Sequence, residues 1–219
     1  LERYAFAADH VRPGRLLDLA CGVGYGTRLL ADREPRLTAL VGVDVSQAAV
    51  EYARLHYRDP AGERIHFVCC DGLTFVDAQG FDTIVSLETV EHVVDPVAFL
   101  AHLVSLLKPG GVLIASVPTT PSVDLNPHHR SDFSARSFRR MGQRHRLVER
   151  ACFEQVQPLS LLELVRGTRF KRENLRPSLL RYYLAHPQAA LRRAVACLRY
   201  GLANRYLTLA WQREARERD

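Results

Sequence analysis

Apolar residues along this chain fall into short runs separated by amphipathic stretches. Arg15–Ala20 (RLLDLA), Thr38–Asp44 (TALVGVD), Arg64–Cys70 (RIHFVCC), Phe81–Leu87 (FDTIVSL) and Gly110–Pro118 (GGVLIASVP) are rich in Leu, Ile and Val and bounded by Gly, Pro or Asp. Short apolar runs bounded in this way predict strands buried on both faces. Helical patterns lie between several of them: Tyr25–Asp32 after the first, Ser46–Tyr57 after the second, Asp95–Leu107 after the fourth. Ser46 suits an N-cap, and Asp95-Pro96 suit an N-cap and a first helical position, where a missing N–H is no loss. Lys108-Pro109-Gly110-Gly111 stops the third helix. This alternation predicts an α/β fold with a doubly wound, mostly parallel sheet.

The pattern changes after Pro118. Thr119–Arg130 is a polar, proline-bearing loop, and Ser134–Arg144 reads as a helix capped by Ser134. Cys152–Ser160 fits a sixth strand. Residues 163–203 look helical in two or three pieces interrupted at Pro177 and Pro187, and Tyr206–Gln212 (YLTLAWQ) alternates as a closing strand would. The expected organisation is a core over 1–162, a basic helical insertion over 163–203, and a closing strand with tail over 204–219.

Composition narrows the class. The chain has 219 residues, of which 47% are hydrophobic and 25% charged, a globular balance. No apolar run approaches the roughly 20 residues that span a bilayer, and no secretory signal pattern opens the sequence. Cys21, Cys69, Cys70, Cys152 and Cys197 form no C-x-x-C pair. That usage suggests reduced thiols in a cytoplasmic protein. The net charge of +6 is uneven: residues 164–219 hold 13 Lys/Arg against 4 Asp/Glu, and residues 1–163 hold 17 against 20. Charge polarity of this kind concerns partners rather than fold. The insertion sets Arg166, Arg169, Lys171, Arg172, Arg176, Arg181, Arg192, Arg193 and Arg199 among Tyr182, Tyr183 and Tyr200. Three readings stand: a solvated flap over a substrate pocket, a site for an anionic acceptor or carrier, and a surface for a peripheral membrane or RNA. The absence of an RRM or KH motif weighs against nucleic acid.

The sharpest segment is Leu17-Asp18-Leu19-Ala20-Cys21-Gly22-Val23-Gly24-Tyr25-Gly26. Glycines at alternate positions between a strand and a helix let the backbone approach a ligand closely. The spacing is not that of the dinucleotide fingerprint. The carboxylate of Asp18 would repel a pyrophosphate and attract an ammonium or sulfonium. Asp44 ends the second strand, where an acidic side chain can accept from two ribose hydroxyls. Asp71 follows the third, where a carboxylate can accept from an adenine amino group. A cationic amino acid joined to adenosine is the ligand these positions suit.

With those residues in place, the chain resembles the class I S-adenosylmethionine-dependent methyltransferases. The resemblance covers residues 15–118 and rests on LLDLACGVGYG (16–26), VGVDVS (41–46), CDG (70–72), FDTIVSLETVEHVVDP (81–96) and LLKPGGVLIASVP (106–118). It implies a seven-stranded sheet whose last strand is antiparallel. It also implies a cofactor site made by Asp18, Ala20, Gly22, Gly24, Asp44, Val45, Asp71, Gly72 and Leu87. Gly22 and Gly24 would pass under the methionine part, Asp44 would hold the ribose and Asp71 would meet the adenine. The opening ERYAFAADHVRPG and the GYG step are similar to methyltransferases of bacterial glycans and other small acceptors.

Glu88-Thr89-Val90-Glu91-His92 follows the fourth run. If a helical turn starts there, Glu88, Glu91 and His92 share one face at i, i+3 and i+4. With a histidine from Asn126-Pro127-His128-His129, they could ligate a divalent metal ion. Glu-x-x-Glu-His with a later histidine is similar to methyltransferases that modify the 2′-hydroxyl at the 3′ end of small RNAs. Those hold a magnesium- or manganese-type ion, and the match places His129 at the ligand position. The same cluster also resembles metal-free enzymes, quinone-precursor methyltransferases among them, in which His92 is a general base. Both readings stay open. In either, Glu88, His92 and His129 are the candidate catalytic residues, and Glu88, Glu91, His92 and His129 the candidate metal ligands. The expected activity is O-methylation of a small-molecule or sugar hydroxyl. The alternatives are a quinone-type phenol, an RNA 2′-hydroxyl, or a cofactor-binding partner subunit without catalysis.

Overall fold

A computed structural model describes residues 2–59, 64–158, 176, 178–201 and 203–215. Seven strands form one sheet: β1 Gly14–Leu19, β2 Leu37–Asp44, β3 Ile65–Cys69, β4 Phe81–Leu87, β5 Leu107–Pro118, β6 Leu147–Pro158 and β7 Ala203–Arg213. Their order is β3-β2-β1-β4-β5-β7-β6. β1 to β5 run parallel, and β7 is antiparallel to both of its neighbours. The described helices are α1 Glu2–His10, α2 Tyr25–Arg33, α3 Gln47–His56, α4 Pro96–Leu106, α5 Ala135–Arg144, α6 Leu179–Ala185 and α7 Pro187–Tyr200.

The central strands are apolar on both faces because helices cover both. Leu113, Ala115 and Val117 of β5 join Phe99, Leu103, Phe138 and Trp211 in one core. Val112 and Ile114 of the same strand join Ala7, Leu30, Val50 and Ala53 in the other. Period-two side chains thus feed two cores from one strand. The caps form as the side-chain chemistry requires. Asp95 Oδ1 accepts from the amides of Val97 and Ala98, each at 3.0 Å, with Pro96 behind it. Ser46 Oγ accepts from the Ala49 amide at 3.3 Å, and Ser134 closes a capping box with Ser137.

Three elements depart from the sequence expectation. β5 begins at Leu107, not Gly110. Gly110 takes a φ of +76°, and the pairing with β4 shifts register there, so the strand absorbs its Lys-Pro-Gly-Gly turn as a bulge. β6 begins at Leu147, not Cys152. It is an edge strand whose exposed Glu149, Cys152 and Glu154 obscure the apolar alternation. Residues 159 and 160, expected to finish it, lie outside the described residues. The opening segment, singled out only for its resemblance, is helix α1. In the insertion Pro187 is the first residue of α7. Arg166, Arg169, Lys171 and Arg172 lie outside the described residues.

Strand order reverses between β1 and β4. In a doubly wound sheet the crevice beyond the carboxyl ends at that point is where ligands bind.

Candidate active site

Two non-glycine residues stand in the left-handed region at the strand ends flanking the crevice: Ala20 after β1, with φ +65°, and Glu88 after β4, with φ +54°. Such conformations cost free energy and collect at functional sites. Ala20 is held there by its amide, which donates to Val43 O at 2.7 Å.

The three glycines of the loop answer to different constraints. Gly22 has φ +56°, and a Cβ built on it meets nothing within 4 Å. Its backbone is bare toward open space. Gly24 has φ +84°, and a Cβ there would lie 2.6 Å from Ala53 Cβ and 2.8 Å from the Phe67 ring. A Cβ on Gly26 would lie 2.0 Å from the Tyr4 ring. Gly24 and Gly26 are therefore glycine for packing, and Gly22 alone of the three leaves its backbone open.

Asp18 is fully buried. It accepts from Thr27 Oγ1 at 2.7 Å and from the Tyr4 hydroxyl at 3.3 Å. Burial raises its pKa to about 6, against the lowering effect of those hydrogen bonds. Its side chain pins α1 and α2 to β1 and does not open on the crevice. Asp44 is only half-buried. Its Oδ2 accepts from the Gly22 amide at 2.8 Å and its Oδ1 from the Ser46 amide at 2.9 Å. An ionised carboxylate has about four acceptor positions, so capacity remains for two ligand hydroxyls. The exposed Asp71 accepts at Oδ1 from the Leu73 amide at 2.9 Å. Gly72 packs on Leu19. Val45 is 73% and Leu73 44% exposed, an apolar pair at the ends of β2 and β3. Leu87 is half-buried at the end of β4.

The expected single face of Glu88, Glu91 and His92 is not formed. The left-handed Glu88 interrupts the chain, and the turn begins only at Val90. Glu88 points to Arg3, 2.7 Å away, and to Ser116 Oγ at 2.8 Å. Glu91 is fully buried, and neither of its carboxylate oxygens has a hydrogen-bond partner. Burial, reinforced by the Glu88 charge, pushes its pKa up to about 8. His92 and His129 meet edge to face, with ring centroids 4.7 Å apart. Each has its Nδ1 engaged, His92 with the His128 carbonyl at 3.1 Å and His129 with Ser122 Oγ at 2.7 Å. Those contacts leave each Nε2 for chemistry. One ligand atom from each of Glu91, His92 and His129 lies within 4.8 Å of the other two. Burial, then the neighbouring His92, lowers the His129 pKa to about 4. The amides of Arg130 and Ser131 donate to Glu91 O, at 2.7 and 3.3 Å, which fastens the loop after β5 over the end of β4.

A family model described as a methyltransferase domain matches residues 17–115. A ubiquinone biosynthesis O-methyltransferase of Dinoroseobacter shibae is 39% identical over 104 residues, 47% of this chain and 40% of that protein. The likeness thus spans less than half of that relative. The YcgJ protein of Bacillus subtilis superposes with a TM-score of 0.73 over 97% of this chain and 98% of its own, at 14% identity. The N-methyltransferase NodS of Bradyrhizobium japonicum, solved with S-adenosyl-L-homocysteine, gives 0.64 over 97% and 86%, at 18% identity. At such identities the two structures speak for the fold. Residues 17–115 match a methyltransferase domain, and the fold is that of the class I S-adenosylmethionine-dependent methyltransferases.

S-adenosylmethionine is the cofactor of this family, and the open backbone at Gly22 beside Asp44 suits it. Several residues around this candidate site carry no signal, or only a weak one, in the sequence. Arg3 also stacks its guanidinium 4.6 Å from the Tyr206 ring centroid, so β7 meets α1 at the residue that pairs with Glu88. Leu73 had a signal, an apolar residue after Asp-Gly at a strand end. Arg3, Ser116 and Tyr206 had none, because their proximity to Glu88 spans up to 118 positions in the chain.

Proposed function

We propose that this methyltransferase transfers the sulfonium methyl of S-adenosylmethionine to a hydroxyl of a small molecule, a sugar or a phenol. The reading rests on one observation: a buried, unpartnered carboxylate, Glu91, beside two imidazoles whose Nε2 atoms are left for a ligand. In this reading Gly22 lies under the methionine part, Asp44 accepts from the ribose hydroxyls, and Asp71 with Val45 and Leu73 holds the adenine. Gly24 and Asp18 act by shaping the loop.

The acceptor oxygen attacks the methyl carbon, the carbon–sulfur bond breaks, and its electron pair goes to sulfur to give S-adenosylhomocysteine. The hydroxyl proton passes to Nε2 of His92 or His129. Neutral imidazole is required for that, and the lowered pKa keeps His129 neutral at pH 7. The chain otherwise supplies alignment, holding donor and acceptor at attack distance. The D. shibae relative is named for ubiquinone biosynthesis, which favours a phenol; the glycan-like opening segment favours a sugar.

A divalent ion is the second reading, favoured by the orphaned Glu91. Two imidazoles and one carboxylate suit a manganese-type ion better than magnesium, which prefers oxygen alone. Glu91, His92 and His129 would hold it, while Glu88 is engaged with Arg3 and Ser116. A bound ion would supply positive charge that lowers the pKa of an acceptor hydroxyl. A cytoplasmic setting accords with the five cysteines, all of them free thiols.

The test is turnover to S-adenosylhomocysteine with a panel of sugars and phenols. His92→Ala and His129→Ala are expected to lose about 100-fold or more in turnover with cofactor affinity retained. Full turnover in both variants overturns the site. Activity unchanged after chelation, with no ion in the purified protein, removes the metal branch and leaves the base.

A further inference from the structure

The two helices before β7 are docked through one arginine and one tyrosine turned inward. Arg193 of α7 donates from Nε to Asp124 Oδ2 at 2.9 Å and from a terminal nitrogen to Oδ1 at 2.5 Å. The Tyr183 hydroxyl of α6 donates to the same Oδ2 at 2.7 Å. Asp124 is buried, so one carboxylate in the loop after β5 hooks both helices to the core.

The outward faces carry leucine. On α7, Leu191, Val195 and Leu198 stand at i, i+4 and i+7 and are 66%, 54% and 89% exposed. On α6, Leu180 and Leu184 stand at i and i+4 and are 74% and 76% exposed. A helix on a soluble surface places its apolar stripe inward; here the order is inverted. Large apolar side chains grouped in this way mark an interaction surface. Its rim is basic. Arg181, Arg192 and Arg199 are exposed. At 100° per residue, Arg192 and Arg199 share one flank of the α7 stripe. No Asp or Glu occurs from Ser178 to Gly201.

We propose that α6 and α7 anchor this protein to an anionic lipid surface, the leucines entering the headgroup–acyl boundary and the arginines meeting lipid phosphates. Leucine at the centre with arginine beside it and no acid in either helix is the composition of an interfacial helix. A second copy of the chain could cover the leucines, but a chargeless rim would serve it better, since two all-basic rims repel.

The experiment is co-sedimentation of the full chain with phosphatidylcholine vesicles and with vesicles that also contain phosphatidylglycerol. Binding is expected to the anionic vesicles and to be weak on the neutral ones. Arg192→Ala with Arg199→Ala lowers the anionic partition about fivefold per arginine. Leu191→Asn with Leu198→Asn lowers it roughly tenfold or more. Titration with S-adenosylhomocysteine shows that each variant keeps its fold, and none of these residues belongs to the methyl-transfer site. No binding to anionic vesicles overturns the proposal, as does equal binding by the leucine variant. A dimer seen by light scattering that the leucine variant abolishes, without vesicle binding, also overturns it and gives the face to a second copy.

Discussion

Arg3 Nη1 lies 2.7 Å from Glu88 Oε1, tying the first helix to the left-handed residue at the end of β4. The side chains are 22% and 29% exposed, between the surface and buried limits. A double-mutant cycle with Arg3→Met and Glu88→Gln is expected to give a coupling of about 1 kcal/mol in urea unfolding. Strictly additive effects would mean that the pair contributes nothing to holding Glu88.

The glycine loop predicts a separation of binding from stability. Gly22→Ala places a methyl in open space at a left-handed position, where the proposed cofactor would lie. It is expected to cost about 1 kcal/mol of stability and to weaken S-adenosylhomocysteine binding strongly. Gly24→Ala and Gly26→Ala drive a methyl into Ala53 and Phe67 or into Tyr4, and lower the melting temperature far more than Gly22→Ala does. Calorimetry of all three variants checks it. The same loss of stability at Gly22 and Gly26 would refute the division.

Asp18 predicts a pH dependence with an unusual sign. Its folded pKa, about 6, lies above the ordinary 3.8, so the folded state holds this proton more tightly than the unfolded chain does. Its contribution to stability is therefore greatest below pH 4 and declines as the pH rises through 4 to 6, by about 3 kcal/mol in all. Asp18→Asn removes that decline. The melting temperature of the variant relative to the parent should climb between pH 4 and 6 and level off above. A difference that stays flat across this range would contradict a raised pKa.

Asp124 is the common hook of α6 and α7. Asp124→Ala leaves Arg193 without its carboxylate and Tyr183 without its acceptor. Both helices should open locally while the sheet persists. Trypsin cleavage at Arg181, Arg192 and Arg193 is expected to quicken roughly tenfold or more, with near-native circular dichroism. An unchanged cleavage rate would show that the helices are held by something else.

The chain's own pattern determined the parallel core. Unbroken apolar runs, Asp95-Pro96 and the Gly-rich turn act over a few residues, so β1 to β4, α2 to α4 and the placing of Asp44 and Asp71 at the strand ends were legible without coordinates. Tertiary structure decided the rest, because it depends on groups far apart in sequence. Asp18 became a buried brace only when α1 brought Tyr4 against it. Glu88 left the expected ligand face because Arg3 and Ser116 hold it in a left-handed turn, and Glu91 stayed orphaned beside His92 and His129 because the loop after β5 folds over it. A 100° periodicity shows that a helix has an apolar face; where that face points was settled in α7 by one buried carboxylate, Asp124, which draws Arg193 inward and leaves the leucines outside.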